Sequence, residues 1–483
     1  MSTFSFVAVW ELVPVFGSFG LLLHACLHNP YWFMSILASP LIGLLFWYVF
    51  LDHHSVDVSR KRAGNGQYGY ARFMTPKEKD EAYRLVPRGK EMTPVVVVEY
   101  NKARWRVNTS DQSMLMVSPP GGGKTTSEYE PTIRYNAEVC RNNPDAAVSM
   151  IVTDVKGQLL SDMGEDVKQA GYAVYSLNFR YPLFSYQYNL MNNVNVHMNQ
   201  YKAAPNKEEQ ILEQAKAEKF AKLLASSIVK NTGVSAASNS ESSEYFNQTS
   251  EGLMTAIILL VSEYGRGSER HIVSVFRMII ELNGLSEGSS EALQKNRMEQ
   301  LFDVLPENHR AKLFAGASTK ADVRTSMNIF SSALGKLVSF IDAELEQMIC
   351  EHSLELNTED FIKRPTVIFL IMPDEDPTKH FFASLFIRNM MNELIAIAER
   401  QHGEHVLPRR IINLWDEFGQ IPPVKDFATL VTAARSRGIR FLTALQSLGQ
   451  LEDKYSQAQA KIIRQAFQMT MFSYQSPNAL DTA

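Results

Sequence analysis

Ser118-Pro119-Pro120-Gly121-Gly122-Gly123-Lys124-Thr125 is the stretch on which the reading of this chain turns. It follows the apolar run 112–117 and opens a segment with helical spacing, so it stands between a strand and a helix. A phosphate-binding loop requires that setting. Consecutive glycines let backbone N–H groups turn inward around an anion, and the N-terminus of the following helix adds a favourable dipole. In such a loop Lys124 reaches the β- and γ-phosphates and the Thr125 hydroxyl ligates magnesium. The candidate contacts are Ser118, Pro119, Pro120, Gly121, Gly122, Gly123, Lys124, Thr125 and Thr126, with ATP and Mg2+ as the expected ligands. The usual pattern begins with glycine where this chain has Ser118; the triple glycine and Gly-Lys-Thr are intact. The competing reading is a glycine-rich turn that happens to precede Lys-Thr.

Far along the chain, Ile411-Ile412-Asn413-Leu414-Trp415 runs into Asp416-Glu417-Phe418-Gly419. An apolar strand ending in two carboxylates is what a Walker B element needs. Asp416 is the candidate magnesium carboxylate, and Glu417 the candidate group that orients or deprotonates an attacking water. Alone, such a pair also reads as a solvated strand end; beside a phosphate loop the catalytic reading is favoured, and the second carboxylate argues for hydrolysis. A third element, Ala434 to Ser447, ends a helix in Arg435-Ser436-Arg437-Gly438 and then delivers Gln446 at the tip of a strand. Open α/β sheets bind ligands at that edge, so Gln446 is a candidate sensor of the γ-phosphate. Arg435 or Arg437 is a candidate finger reaching a neighbour's site; the alternative is that they complement the dipole of their helix.

The 483 residues are 45% hydrophobic and 21% charged, with 48 basic against 52 acidic side chains and a formal net charge of −4. This excludes a disordered chain, a collagen-like repeat and a broadly basic nucleic-acid coat, while leaving room for a local basic stripe. Cys26, Cys140 and Cys350 are too few and too scattered for a disulfide framework or a zinc site, so the soluble part reads as cytosolic. From Leu12 to Leu51 there is no Asp, Glu, Lys or Arg, and His28-Asn29-Pro30-Tyr31 divides the run into two apolar halves. Each half has roughly the twenty residues that a membrane-spanning helix needs. Arg60, Lys61, Arg62 and Arg72 follow, which places the downstream chain in the cytoplasm. Residues 1–10 lack the Lys or Arg of a signal peptide. The expectation is a two-span protein of the inner (cytoplasmic) membrane.

Strand candidates at 95–98, 112–117, 147–153, 172–177, 366–372, 411–415, 439–445 and 469–474 are mostly separated by helix-length segments. This is the pattern of a largely parallel α/β sheet covered on both faces. Segments 207–230, 249–264, 271–283, 288–304 and 321–340 have helical spacing with no convincing strand, and 231–243 reads as mobile. The expected division is a transmembrane hairpin over 1–52, a nucleotide-binding domain in two parts over 53–190 and 365–483, and an all-α insertion over 191–364.

The hairpin, Gly-Tyr-Ala-Arg-Phe-Met-Thr-Pro-Lys-Glu at 69–78, the phosphate loop, Thr153-Asp154-Val155-Lys156-Gly157, and Trp415 to Gly419 together resemble the TraG/TraD type IV coupling proteins. So does Ser436-Arg437-Gly438-Ile439-Arg440 leading to Gln446-Ser447-Leu448-Gly449-Gln450-Leu451, the most specific of these matches. The resemblance implies a RecA-like motor domain, a hexameric ring at the inner membrane, and an all-α domain facing the cytoplasm. It implies an ATPase that presents relaxase-bound single-stranded DNA, or protein effectors, to a type IV secretion channel. On that family's pattern Lys124 and Thr125 contact nucleotide, Asp416 holds magnesium, Glu417 is catalytic, and Asp154 supports the site or a subunit contact. The chain ends at Ala483, where such proteins usually continue, so a trimmed C-terminus is expected. Two other readings remain: a substrate-docking receptor whose nucleotide site serves assembly, and an FtsK-like DNA translocase.

Overall fold

A computed structural model describes residues 74–231, 241–283, 297–321, 323–401 and 405–472. The hairpin expected at 1–52, and residues 232–240 of the stretch expected to be mobile, lie outside the described residues. The chain divides into a unit ending at Thr75 and a compact unit from Pro76 onward. Every helix and strand of the described residues belongs to the second unit.

After a short helix α1 (Pro76–Ala82), strands β1 (Arg84–Pro87), β2 (Val96–Tyr100) and β3 (Arg104–Asn108) form an antiparallel sheet in the order β1-β3-β2. The expected strand at 95–98 therefore overlaps β2, which begins one residue later, in a small sheet of its own. In β3, Trp105 and Val107 turn inward while Arg104 and Arg106 turn outward, the two-residue alternation of a sheet with one wet face. Val86, Val95, Val97, Trp105 and Val107 pack there against Tyr135 and Val139.

The central sheet has seven parallel strands: β4 (Met114–Val117), β5 (Ser149–Asp154), β6 (Ala173–Asn178), β7 (Thr366–Ile371), β8 (Ile411–Trp415), β9 (Ile439–Leu445) and β10 (Met469–Phe472). Their order is β10-β4-β9-β8-β5-β7-β6. β5, β7, β8 and β9 are buried along their whole length, as apolar strands covered on both faces must be. One face carries α2 (Glu130–Asn142) and α3 (Gln158–Gln169), whose Ile133, Ala137, Leu159, Met163 and Val167 pack on Val152, Leu414 and Leu442. The other carries α13 (His380–Arg400), α14 (Phe427–Arg435) and α16 (Gln457–Ala466), through Phe382, Phe386, Phe427 and Ile463. Each such fully buried side chain contributes about 1.5–3 kcal/mol. The segment Pro377–Arg400 is long and apolar enough to cross a membrane, but 72% of its most apolar window is buried, which makes it a core helix here.

Between β6 and β7 the described residues contain only helices: α4 (Asn192–Ala203), α5 (Lys207–Asn231), α6 (Glu241–Tyr264), α7 (Ile272–Leu282), α8 (Arg297–Val304), α9 (Arg310–Thr319), α10 (Val323–Leu337), α11 (Ala343–Ile349) and α12 (Thr358–Lys363), with short 3-10 turns. The run Leu253 to Val261 lies in α6 and is wholly buried. A last short helix, α15 (Gly449–Lys454), follows β9.

Candidate functional site

Gly121 and Gly123 adopt φ of +74° and +75°, the left-handed region that only glycine enters freely. A side chain at Gly121 would meet nothing within 4 Å, so conformation rather than space demands glycine there. Ser118, by contrast, has no positive φ, and its N–H donates to the Leu445 carbonyl at 2.9 Å, extending the β4–β9 ladder. The departure from glycine at this position thus costs the backbone nothing. The Gly122 N–H closes a turn on the Pro119 carbonyl at 3.1 Å, and the Thr126 hydroxyl donates to the Gly123 carbonyl at 3.1 Å. The next turn, Thr125–Tyr129, is π-helical before α2 begins, a widened turn of the kind concentrated at functional sites.

Parallel strands deliver their C-terminal tips to one edge, and β9 lies between β4 and β8. The loop after β4 therefore meets Asp416 and Glu417 across the tip that carries Gln446. Thr125 Oγ1 donates to Asp416 Oδ2 at 2.5 Å, and Lys124 Nζ donates to Glu417 Oε1 at 2.6 Å. Gln446 Nε2 donates to Glu417 Oε2 at 3.3 Å. Pairs of residues 291 and 293 positions apart in the chain form one constellation.

Its electrostatics follow from burial. Desolvation raises the Asp416 carboxyl above its ordinary range, against the pull of the Thr125 hydroxyl and the Lys124 charge, while Glu417 and Asp154 push it further up. Asp416 Oδ1 is buried and has no hydrogen-bond partner. A hard divalent cation would supply both the missing charge and the missing partner, with Thr125 Oγ1 and Asp416 as its protein oxygens. Among the described residues there is no group of three or more His, Cys, Asp or Glu side chains that would hold a metal unaided, so such a cation must draw its remaining ligands from phosphate and water.

Asp154 ends β5 at the same edge but is otherwise engaged. Its Oδ2 accepts from the Leu160 N–H at 2.9 Å, and the backbone N–H groups of Gly157, Gln158 and Leu159 also favour its charged form, though burial raises its pKa on balance. It braces the first turn of α3, whose N-cap is Gly157 at a φ of +71°.

Arg435 and Arg437 are not brought to this constellation. They precede β9, whereas Gln446 follows it, and seven strand residues at about 3.3 Å each separate the two ends. Arg437 donates to the Ala433 carbonyl at 2.7 Å and pairs with Glu399 at 2.9 Å. Arg435 is exposed and has no partner among the described residues.

Three residues escaped the motif reading. The buried Tyr129 hydroxyl is shared between the Trp415 carbonyl at 2.9 Å and the Leu442 carbonyl at 3.3 Å, pinning the start of the loop's helix to β8 and β9. Glu128 is buried beside it, its carboxyl pushed up to about 8 by desolvation. Gln450, present in the quoted motif without a role, uses its Oε1 to accept the Gln446 N–H at 2.9 Å. Only tertiary pairing could have exposed these.

Fold and site together define an α/β protein with a phosphate-type loop facing an acidic strand end. The model of the type IV secretory system conjugative DNA transfer family matches residues 74–483, and the chain belongs to that family, that of the type IV coupling proteins. Among solved structures, the plasmid coupling protein TrwB in complex with the ATP analogue ADPNP is similar at 15% identity, covering 83% of this chain and 77% of that one with a TM-score of 0.54. TrwB with the GTP analogue GDPNP is similar at 15% identity, 77% and 72% coverage and a TM-score of 0.51. At such identities the likeness is one of fold. Comparison with curated proteins finds no match.

Proposed function

We propose that this chain is a Mg2+-dependent ATPase that drives relaxase-bound single-stranded DNA, protein effectors or both into a type IV secretion channel. The observation that carries the reading is the double contact of Lys124 with Glu417 and Thr125 with Asp416. The ligand named for TrwB in the matched complex, the ATP analogue ADPNP, supports ATP here, and the buried, unpartnered Asp416 Oδ1 beside Thr125 supports magnesium. In the reaction Lys124 exchanges Glu417 Oε1 for phosphate oxygen, and the released carboxylate accepts a proton from the attacking water. The water oxygen bonds to the γ-phosphorus as the bond to the bridging oxygen breaks, and Gln446 holds the other Glu417 oxygen in place. Thr125 and Asp416 would hold magnesium, which when bound would offset the charge that develops on the phosphates.

The order 10-4-9-8-5 of the first five strands supports a RecA-like motor, with the helices between β6 and β7 as its insertion. Such motors work as rings, here a hexamer attached to the inner membrane by the expected two-span hairpin, with the motor in the cytoplasm. An exposed Arg435, with no partner among the described residues, favours that residue over the tethered Arg437 as the finger reaching a neighbour's site.

The test is Lys124→Ala and Glu417→Gln in the full chain. Lys124→Ala should lose ATP hydrolysis and conjugative transfer while membrane insertion continues. Glu417→Gln should bind ATP with turnover reduced by at least a hundredfold. A second reading, docking, is favoured by one observation: an open cavity of about 680 Å³ in the helical block, lined by Leu260, Tyr264, Arg277, Met278 and Leu301 among others. Transfer that persists in an assembled, ATP-binding Glu417→Gln protein would choose docking over pumping.

A further inference from the structure

The two ends of a nucleoside triphosphate bound at this site are constrained differently. Glu417 and Gln446, which address the γ end, stand on β8 and β9, on one side of β4. The other neighbour of β4 is β10, which leaves the β10 side of the loop open to the nucleoside. The small antiparallel sheet stands there: the Tyr83 hydroxyl lies 3.7 Å and Asn108 Nδ2 3.8 Å from Met469 Sδ of β10.

At the end of β2, facing the loop, is Tyr100. Its hydroxyl donates to the Thr126 carbonyl at 3.3 Å, one residue past the candidate magnesium ligand Thr125. The side chain is 45% exposed. Trp105 backs it, with ring centroids 5.9 Å apart and planes at 36°, and the Arg88 guanidinium lies 3.9 Å from the Trp105 centroid. The neighbouring Glu99 is paired with Lys79 at 2.6 Å and Arg106 at 3.2 Å, which offsets its charge toward an anion approaching this corner. A strand end, a hydrogen bond and an aromatic backing hold the ring in place, and a pre-placed exposed ring loses little freedom on binding.

We propose that Tyr100 forms the nucleobase subsite, stacking on the purine of a nucleoside triphosphate whose phosphates occupy the loop Gly121–Thr125. The inference rests on the proposed nucleotide site and adds where the base goes. Every base presents a π face, so the subsite accepts adenine and guanine alike.

The experiment is calorimetric titration of the full chain with Mg-ATP, Mg-GTP and magnesium tripolyphosphate, which has the phosphates without the base. Tyr100→Ala should weaken both nucleotides about tenfold or more and leave tripolyphosphate unchanged; Tyr100→Phe should bind nucleotides within about threefold of the unaltered chain. Unchanged ATP affinity in Tyr100→Ala overturns the subsite. So does an equal loss of tripolyphosphate, which would mean that Tyr100 acts only by shaping the loop. Lys124→Ala separates the two readings. If it binds tripolyphosphate as well as the unaltered chain does, or if the unaltered chain binds none, the phosphate site itself fails and the subsite with it. If Lys124→Ala is impaired while Tyr100→Ala binds ATP normally, the base assignment alone fails.

Discussion

Glu128 sits in the same widened turn as Thr125, 5% exposed, with its Oε2 buried and unpartnered. Burial is the cause that lifts its pKa from about 4.5 to about 8. Over the interval between those values the folded chain holds a proton that the unfolded chain has released. The folded state therefore loses stability as pH rises from about 4.5 through about 8, by an amount on the order of 3–5 kcal/mol. Glutamine has the same shape and no proton to lose. Thermal melts of Glu128→Gln should match the parent near pH 4.5 and pull ahead by several degrees at pH 8.5. A difference that stays constant across that range would show that Glu128 is not held neutral. Motifs made of neighbouring residues are visible in a sequence because their chemistry is local. Glu128 was invisible because its property comes from what covers it.

The same distinction holds among elements. β5, β7, β8 and β9 were legible as strands because both faces are covered, which leaves unbroken apolar runs. β1 and β3 were not, since four or five residues with outward arginines give a short alternation that resembles a loop. The connection from β8 to α14 was also illegible, because partners from distant helices decide its course. Lys454 Nζ holds the Ile421 carbonyl at 2.5 Å, the Tyr455 hydroxyl accepts the Val424 N–H at 2.9 Å, and Lys425 reaches the Ser226 hydroxyl on α5. At its start, a Cβ on Gly419 would stand 2.5 Å from Gln450 Oε1, the atom that accepts the Gln446 N–H. A flexible side-chain end can swing away, so Gly419→Ala should cost stability only about 1 kcal/mol, roughly the worth of the lost hydrogen bond. The freed Gln446 then no longer steadies Glu417. Turnover should fall about tenfold at unchanged ATP affinity, read by steady-state kinetics beside titration; full turnover would show that Gln450 does not position Gln446.

For the whole molecule, the placement of the arginines becomes a statement about assembly. A helix and a strand read along the sequence suggested two equivalent candidates, Arg435 and Arg437. Folding separates them: Glu399 and the Ala433 carbonyl hold Arg437, while Arg435 is left exposed at the edge of the sheet opposite Lys124. Seven strand residues, about 23 Å, are too far for a side chain of either residue to reach its own subunit's phosphates. Catalysis by Arg435 therefore requires a second copy whose site faces that edge, and the proposed ring, closed by head-to-tail contacts, would supply one. Arg435→Ala should keep the ATP affinity of the parent and lose turnover by a factor on the order of 10³. Neither Arg435→Ala nor Lys124→Ala should be active alone, yet mixed rings contain junctions where an intact loop meets an intact arginine. Activity should accordingly reappear on mixing and vary with the ratio of the two proteins. Mixtures that stay silent at every ratio, in rings shown by mass to contain both variants, would remove Arg435 from the reaction and return the finger to Arg437.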